Sequence, residues 1–600
     1  MKGLFTGRSL SKTKSPVKNT LSYHEAEKLW ITHPEKVWIL ADVISLHEDE
    51  GFAVVKSDLG EITVQLKDTH VYHYTHDGSL DNLCAMNNFH EAPLLDALRS
   101  RCMQKSIYTD IGNVLVSINP YETIEGLYDS PLRYFCSDEV DVNFVQLRPH
   151  VYRIANSALC SMLKNTGFSC LTKSVDQSIV ISGESGAGKT EASKKVIRFL
   201  IEADHSQGLL DHSQIVLGDK EVHTSGNSAM MGNGYAEQTK AADGSAGETT
   251  AELLSKRILD STYLFESFGN AKTLRNDNSS RFGKFIKIQY GNDQNVCGAH
   301  VDTFLLEQSR LVHVGAGERN YHIFYQLLRG EHPSLDKYML QLQLPEDFKI
   351  LLGEEEAALP GYPDADRDSS EFTLVCSALQ TLGCSDDDLV NIWRVLAAIL
   401  HMGNCYTMSA SVDGPSEHAP LLVACSSTSM DFVARTFGVE IPDLQRALTT
   451  RVIRAYKRAS FSAKMLSPEE VMFNIYAVMK FLYSSLFRWL QSTVNSAFGA
   501  QDNIEIASFI GILDIFGFEI MEINSFEQLC INYANELLQK LFNETIFSSE
   551  QEAYEAEGIE WQQVDYQDNQ PIINLLALKP NGLFPTIDAQ GKQRDEIRNL

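Results

Sequence analysis

Residues 181–195, ISGESGAGKTEASKK, contain the strongest local signal in this sequence. They follow a short apolar run, SIVI at 178–181, and precede Val196, Ile197 and Leu200, which have the spacing of one helix face. A strand, a glycine-rich turn and a helix in this order are typical of a loop that holds phosphate groups. Glycines let successive backbone N–H groups converge on phosphate oxygens, and the helix N-terminus adds a positive dipole. The sequence therefore predicts a nucleotide-binding P-loop.

The pattern GxxxxGK followed by Thr assigns a chemical task to two side chains. Lys189 is expected to reach the β- and γ-phosphates, and the Thr190 hydroxyl is expected to bind Mg²⁺. The predicted nucleotide-binding residues of the loop are Gly183, Glu184, Ser185, Gly186, Ala187, Gly188, Lys189 and Thr190. The loop alone does not identify the protein class, because kinases, switch GTPases, pumps and motors can all carry it.

Two further loops carry residues suited to phosphate chemistry. Residues 270–284, NAKTLRNDNSSRFGK, combine hydroxyl, amide and guanidinium groups that can contact a γ-phosphate and position a water. Residues 511–519, GILDIFGFE, end an apolar strand at 506–513 with Asp514, as Mg²⁺-associated carboxylates do in P-loop enzymes. No NKxD or TKxD guanine-reading motif stands in a plausible place, and HRDxxxxN and DFG do not occur. These observations disfavour a GTPase and a protein kinase.

The sequence resembles a myosin motor head from about residue 90 to 580. The resemblance is carried by GESGAGKTE (183–191), NAKTLRNDNSSRFGKF (270–285), TFLLEQSRLV (303–312), GERNYHIFYQLL (317–328), AAILHMGN (397–404), LDIFGFE (513–519), NSFEQLCINYANELLQKLFNETIF (524–547) and EGIEW (557–561). Several of these stretches are long, and some lie outside the nucleotide-binding loops. The resemblance implies a myosin-type ATPase that uses ATP and Mg²⁺ and binds actin filaments.

The resemblance also implies roles for individual residues. The loop at 270–284 is similar to switch I, in which Asn276 contacts the α-phosphate, Ser279 lies where the attacking water meets the γ-phosphate, and Ser280 binds Mg²⁺. The loop at 511–519 is similar to switch II, in which Asp514 holds a Mg²⁺-bound water and Gly517 donates its N–H to the γ-phosphate. Arg281 and Glu519 are expected to form an ion pair that closes the pocket. The implied catalytic residues are Lys189, Ser279, Arg281, Asp514, Gly517 and Glu519.

Outside the phosphate-binding loops the match is less regular. The adenine pocket of the family resembles Asn119, Pro120 and Tyr128 here, although the spacing from Asn to Tyr is one residue longer. The charged RDALAK stretch of many heads is replaced by IYAVMK at 475–480. The loop at 454–463 falls where myosins contact actin, and its basic character suits an acidic partner. Within it, Ser460 and Ser462 are candidate phosphorylation sites.

The expected fold is an α/β P-loop NTPase motor core, with a central, twisted, mostly parallel sheet flanked by helices. A flexible basic leader is expected at 1–28, a small SH3-like β-barrel module at 29–75, and the head with its helical actin-binding subdomains at 76–600. A mobile loop is expected at 204–250, a second insertion at 410–430, one long buried helix at 469–498 and a relay helix at about 524–553.

Composition limits the partners. With 51 basic and 79 acidic residues the net charge is −28, which disfavours nucleic acid and anionic lipid as general partners. Eleven cysteines without a CxxC pair indicate neither a zinc ribbon nor a disulfide framework. No apolar run reaches the length of roughly 18 residues that a membrane span requires. A cytoplasmic protein without a transmembrane segment is therefore expected, and the resemblance to a myosin head implies association with the cytoskeleton.

The C-terminal stretch leaves the mechanical role open. After residue 580 the resemblance weakens, and the chain contains no IQxxxRGxxxR neck motif. The expectation is an incomplete head without converter or neck, so that light chains or calmodulin would be partners only if a neck follows residue 600. Two alternatives to an actin-activated motor core stay open here: a non-motile, nucleotide-dependent actin-binding or scaffold protein, and a P-loop NTPase with another substrate.

Overall fold

The computed structural model describes residues 27–599, with gaps at 48, 59, 72–79, 87–88, 129–147, 165–175, 205–249, 353–364, 410–420, 425–426, 455–460, 500–504, 522–523 and 560–567. The expected leader, apart from its last two residues, and the interior of the expected loop at 204–250 lie outside the described residues. The chain divides into two compact units, Met1–Leu127 with Gln146–His150 and Tyr128–Val145 with Val151–Leu600.

The first unit begins with an antiparallel sheet in the order β4-β3-β2-β1-β5. Its strands are β1 (Lys28–His33), β2 (Val37–His47), β3 (Phe52–Ser57), β4 (Gly60–Gln65) and β5 (Thr69–Val71). Alternate residues such as Leu29, Ile31, Ala53 and Val55 form its buried core, as the period of two along a strand requires. The described strands form an open sheet and not the expected barrel, because β5 pairs with β1 and no described pairing joins it to β4.

The rest of the first unit is a helix followed by a hairpin: α1 (Glu91–Met103), β6 (Tyr108–Ile111) and β7 (Val114–Ser117). Arg101 at the end of α1 is buried and donates hydrogen bonds to Thr109 Oγ1 and to Tyr108 O, both at 2.8 Å. It also pairs with Asp81 at 2.9 Å. A buried guanidinium with these partners ties α1 to the hairpin.

The second unit is built on a four-stranded sheet in the order β12-β11-β17-β8. The strands of this unit are β8 (Gln177–Ile181), β9 (Asn270–Ala271), β10 (Ser279–Ser280), β11 (Gly283–Gly291), β12 (Val296–Phe304), β13 (Tyr406–Ser409), β14 (Leu421–Ala424), β15 (Thr450–Arg454), β16 (Phe461–Met465) and β17 (Ile506–Asp514). In the described sheet only β8 and β17 are parallel. The expectation of a mostly parallel sheet is corrected to a mixed sheet, because β11 and β12 form a hairpin and β11 also runs antiparallel to β17.

Helices make up most of the rest of the second unit. They are α2 (Val151–Lys164), α3 (Lys189–Asp204), α4 (Thr250–Gly269), α5 (His322–Arg329), α6 (Ala365–Thr381), α7 (Asp386–Gly403), α8 (Ser427–Phe437), α9 (Ile441–Thr449), α10 (Pro468–Phe498), α11 (Phe526–Asn543), α12 (Ser549–Glu557), α13 (Gln570–Ala577) and α14 (Leu583–Asn599). Helices α2 and α3 contact β8 and β17, and α10 lies along β12. The α/β architecture expected from the sequence is confirmed.

The two long helices show what periodicity predicts and what it misses. Helix α10 begins at Pro468 behind a capping box of Ser467 and Glu470, which satisfies its first free N–H groups. Of the apolar residues at helical spacing, Val478 and Leu482 are half-buried, and four are buried: Val471, Ile475, Met479 and Leu486. The expected relay helix is interrupted: a π-helical turn at Glu544–Ser548 separates α11 from α12. Within the described residues, no helix has both the length and the apolar character needed to cross a membrane.

Part of the expected insertion at 410–430 is regular secondary structure. The segment at 410–430 contains strand β14, which pairs with β13, and the start of α8, while residues 410–420 lie outside the described residues. Ser460 also lies outside them, and Ser462 belongs to strand β16.

Candidate functional site

The phosphate loop connects β8 to α3, as predicted. Gly183, Gly186 and Gly188 have φ values of 157°, 83° and 86°, a region that side chains with a Cβ rarely adopt. Lys189 opens α3, and its ammonium group donates to the carbonyl oxygens of Gly183 at 2.9 Å and Glu184 at 2.8 Å. The loop therefore curls around the lysine that is proposed to contact phosphate.

Burial and the nearby carboxylates shift the pKa of Lys189 in opposite directions. Burial lowers the pKa of its ammonium group, whereas the nearby carboxylates of Asp514, Glu519 and Glu184 act to raise it. The net pKa lies below the ordinary lysine value. An ammonium group that loses its water in this way gains strongly from an anionic ligand.

Strand register brings the three loops to the same end of the sheet. Ile181 of β8 lies opposite Asp514 of β17, and Asp514 lies opposite Lys284 of β11. Because β8 and β17 are parallel, the phosphate loop and switch II leave the sheet at the same end. Ligands of open α/β sheets bind at this carboxyl end of the strands.

Asp514 has the environment of a cation-associated carboxylate. It is 3% exposed, and the Lys284 ammonium lies 3.3 Å from its Oδ2. This contact lacks hydrogen-bond geometry, and Oδ2 has no hydrogen-bond partner among the described residues. A buried carboxylate oxygen with a free lone pair fits a cation or a cation-bound water, so the residues present suit Mg²⁺.

Gly517 makes the closest approach between switch II and the phosphate loop. A Cβ atom at this position would lie 2.0 Å from Gly183 O and 2.9 Å from Glu184 Cα. Only glycine permits the two backbones to approach this closely. The contact places the predicted γ-phosphate donor against the phosphate loop.

Switch I reaches the same place through Ser279, which is 5% exposed. Its Oγ lies 3.1 Å from the Oγ of Ser185 in the phosphate loop. Ser280, the predicted Mg²⁺ ligand, donates to Asn270 Oδ1 at 3.1 Å. Asn276 holds the loop together, since its side chain accepts from Asn278 N and donates to Asn278 O, both at 3.1 Å.

The structure brings Arg281 and Glu519 together across 238 residues of sequence. Arg281 Nη1 donates to Glu519 Oε1 at 2.7 Å, and Nη2 donates to Oε2 at 3.3 Å. Both side chains are almost fully buried. A two-pronged guanidinium–carboxylate contact in this setting has a fixed orientation, so it forms a defined wall of the site.

A second carboxylate, Glu307, holds Arg281 from the other side. Arg281 Nε donates to Glu307 Oε2 at 2.8 Å, and Arg310 Nε donates to the same oxygen at 2.6 Å. Burial acts to raise the pKa of Glu307, but the two arginines outweigh it and the pKa is lowered. Burial acts to lower the pKa of Arg281, and Glu307 and Glu519 reverse that effect. The wall is thus a buried chain of alternating charges.

Helix α11 is attached directly to switch II. Asn532 accepts from Glu519 N and donates to Glu519 O, both at 2.8 Å. Asn535 donates to Phe516 O at 3.1 Å. Two amide side chains one helical turn apart therefore hold the loop backbone, and a shift of switch II must move or strain the helix.

Comparison with known proteins decides the family. A family model, the myosin head (motor domain), matches residues 80–596. This chain belongs to the myosin head family. It is 34% identical over 571 residues to the Myosin-J heavy chain of Dictyostelium discoideum, with 95% of this chain and 24% of that protein covered.

Two further relatives show the same relation. The myosin head is 36% identical over 516 residues to Unconventional myosin-XV of Homo sapiens, with 86% of this chain and 13% of that protein covered. It is 32% identical over 587 residues to Myosin-2 of Saccharomyces cerevisiae, with 95% of this chain and 33% of that protein covered. The chain therefore spans a third or less of the length of these relatives.

Among the residues of the myosin head site that the sequence did not predict are Lys284, Glu307 and Asn532. Each lies in a stretch that carries the family resemblance, and Glu307 has a local signal as the one charged residue in TFLLEQS (303–309). An acidic residue among apolar neighbours indicates a buried charge with a partner. The partner itself is not readable from sequence, because Arg281 lies 26 residues away.

The predicted adenine pocket falls on both units. Asn119 and Pro120 belong to the first unit, so their part in the site stays a prediction. Tyr128 belongs to the second, where the Lys195 ammonium lies 4.5 Å from its ring centroid and Arg198 donates to its carbonyl oxygen at 3.3 Å. Its ring therefore lies beside α3, the helix that begins at the phosphate loop.

Proposed function

We propose that this myosin head is an ATP-hydrolysing motor core that binds actin filaments in a nucleotide-dependent way and associates with the cytoskeleton. The observation that carries the proposal is the Arg281–Glu519 pair in a chain that belongs to the myosin head family. The pair closes a wall directly beside the phosphate loop. A closed, water-poor pocket is what phosphoryl transfer to a single positioned water requires.

Each loop contributes a separate task. Lys189 and the glycine backbone bind the phosphates, and Asn276 contacts the α-phosphate. Gly517 donates its N–H to the γ-phosphate, and Ser279 orients the attacking water. Support for these roles comes from the contacts between the loops: Gly517 touches Gly183, and Ser279 lies 3.1 Å from Ser185. Hydrolysis then depends on placement more than on a strong base.

We assign the Mg²⁺ site to Thr190 and Ser280 as direct ligands and to Asp514 through a water. When bound, Mg²⁺ neutralises charge on the β- and γ-phosphate oxygens. The unsatisfied Oδ2 of buried Asp514 supports the assignment. Among the described residues no three His, Cys, Asp or Glu side chains form a metal cluster, and hydroxyl ligands complete this site in the assignment.

Coupling between the nucleotide and the rest of the head runs through α11. A shift of Gly517 toward the γ-phosphate would pull the adjoining backbone at Phe516 and Glu519. Asn532 and Asn535 bond that backbone, so they would transmit the shift to the relay helix. Such conversion of a small loop shift needs firmly packed contacts at both ends.

Two binding surfaces complete the proposal. Tyr128 contacts the adenine base, and its position beside α3 supports this role. The hairpin of β15 and β16 meets actin through its basic residues, of which Arg451 is exposed. Positive charge here suits an acidic filament in spite of the net charge of −28.

Co-sedimentation with actin filaments tests the proposal. The chain should pellet with filaments in the absence of nucleotide, should be released by ATP, and should produce ADP and phosphate at a rate that filaments increase. ATP-sensitive binding without hydrolysis would favour the non-motile actin-binding alternative. Hydrolysis without any filament binding would favour a P-loop NTPase with another substrate.

A further inference from the structure

A small patch of backbone pairing brings switch I beside the start of α5. Strand β9 pairs with β10, so that Asn270 lies opposite Ser280. On its other edge, Ala271 of β9 forms a bridge with Tyr321, the residue before α5. This arrangement places His322 close to the switch I side chains.

A chain of side-chain hydrogen bonds crosses the patch. His322 Nε2 lies 3.2 Å from Asn278 Oδ1. Asn270 Nδ2 donates to the same oxygen at 3.0 Å. Ser280 Oγ donates to Asn270 Oδ1 at 3.1 Å. The chain therefore runs from a helix terminus through two amides to the hydroxyl of Ser280.

The direction of every bond in this chain follows from a carboxylate at one side. Asn278 Nδ2 faces Glu266 Oε2 at 3.5 Å, and Glu266 also pairs with Lys194 at 2.8 Å. A carboxylate in an ion pair only accepts hydrogen bonds, so the amide nitrogen of Asn278 must face it. The amide oxygen of Asn278 then faces Asn270 and His322 as an acceptor.

The position of that amide oxygen decides which atoms of His322 and Asn270 donate and which accept. His322 must present an N–H at Nε2, and its buried, neutral imidazole can do so: burial, followed by nearby arginines, lowers its pKa to about 3. Asn270 must present its amide nitrogen to Asn278, which leaves its oxygen for Ser280. Asn270 is 1% exposed, so water has little access to exchange with these partners.

We propose that this hydrogen-bond relay commits the hydroxyl proton of Ser280 to Asn270, so that Ser280 offers only lone pairs to a divalent cation. The inference rests on the proposed function, since it refines how the assigned Mg²⁺ site is prepared. Asn270, Asn278 and His322 are positioning residues in this scheme. A hydroxyl that can point its proton at the cation is a poorer ligand, and outer partners of this kind typically tune metal affinity about 10- to 100-fold.

Binding of a fluorescent ADP analogue to the full chain tests the relay. The Kd is measured once with free Mg²⁺ and once with EDTA. The ratio of the Kd in EDTA to the Kd with Mg²⁺ reports how strongly the cation supports binding. Asn278→Leu removes the acceptor that orients Asn270. The amide of Asn270 can then turn its nitrogen to Ser280, and the ratio should fall by about tenfold, whereas the Kd in EDTA should change by less than about twofold.

Asn391→Leu, the same change at an exposed position of α7, is the matched control. This variant should keep the wild-type ratio, because the Asn391 side chain accepts from Arg394 of the same helix. His322→Phe removes one donor at a distance from the metal and should reduce the ratio less than Asn278→Leu does. It also tests the relay independently if the leucine variant does not fold.

The outcomes separate the inference from the proposed function. A wild-type ratio of one would mean that the site does not use Mg²⁺ for nucleotide binding, which contradicts the proposed function. A large wild-type ratio that stays unchanged in Asn278→Leu and His322→Phe would overturn the relay alone. Equal loss of affinity with Mg²⁺ and with EDTA would also overturn it, because that pattern indicates general damage to the pocket.

Discussion

The phosphate loop and the wall formed by Arg281, Glu307 and Glu519 lie in the same site but are built differently. The loop is local: a continuous run of eight residues, 183–190, supplies glycine conformations, a lysine and a helix start. The wall is non-local, since its members lie 26 and 238 residues apart. We expect the local part to hold nucleotide in any conformation of the rest, whereas the non-local part exists only when switch I and switch II meet. Binding and hydrolysis should therefore be separable by mutation.

Lys189→Ala should have the largest effect, because it removes the one fixed positive charge of the loop. Loss of such a contact at a partly buried site is worth about 4 kcal/mol, or about a 1,000-fold weaker affinity for ATP. Titration with a fluorescent ATP analogue measures it. Lys56→Ala, the same change at an exposed position of β3, is the control, and unchanged affinity in Lys189→Ala would remove the loop from the binding site.

Arg281→Glu and Glu519→Arg should each slow hydrolysis by about 1,000-fold while ATP binding changes little, because each places like charges in the wall. The double variant restores opposite charges and should recover part of the rate in single-turnover measurements. Recovery is expected to be incomplete, since a glutamate at position 281 would face Glu307. Strictly additive losses would show that the two side chains do not act together.

Gly517→Ala tests the contact between the local and the non-local part. Its Cβ would meet Gly183 O at 2.0 Å, so switch II must retreat from the phosphate loop. Hydrolysis should fall by about 100-fold with ATP affinity nearly preserved. Gly591→Ala in α14, where the new methyl group meets nothing within 4 Å, should leave both unchanged. A fully active Gly517→Ala chain would contradict the proposed approach of the two loops.

Glu307→Gln should have the smallest effect on hydrolysis, about tenfold, because Arg281 keeps Glu519. Its effect on stability should depend on pH. The pKa of folded Glu307 lies below its ordinary value of 4.5, so the carboxylate contributes stability above about pH 4.5 that is lost as the pH falls through the folded pKa. Denaturant unfolding at pH 7 should show the variant less stable, with the difference shrinking under acid conditions. A difference that is constant with pH would indicate a shape effect alone.

The sequence by itself determined the phosphate loop, the helices α3 and α10, and the strand β17. In each case the signal is local: glycine spacing, an apolar period of 3.6 or a continuous apolar run states the backbone conformation directly. The family resemblance extended this to Arg281 and Glu519, and the structure places the two in contact.

Only the tertiary structure decided the mixed sheet, the π-helical turn after α11, and the partners of the charged side chains. Hairpin direction and strand order depend on which edges meet, and a helical period does not record one extra residue in a turn. Lys284 reads in sequence as an ordinary charged residue, and the sequence does not identify the partner of Glu307. Their roles follow from burial, because only the folded chain removes water and makes a buried charge depend on the partner that packing brings to it.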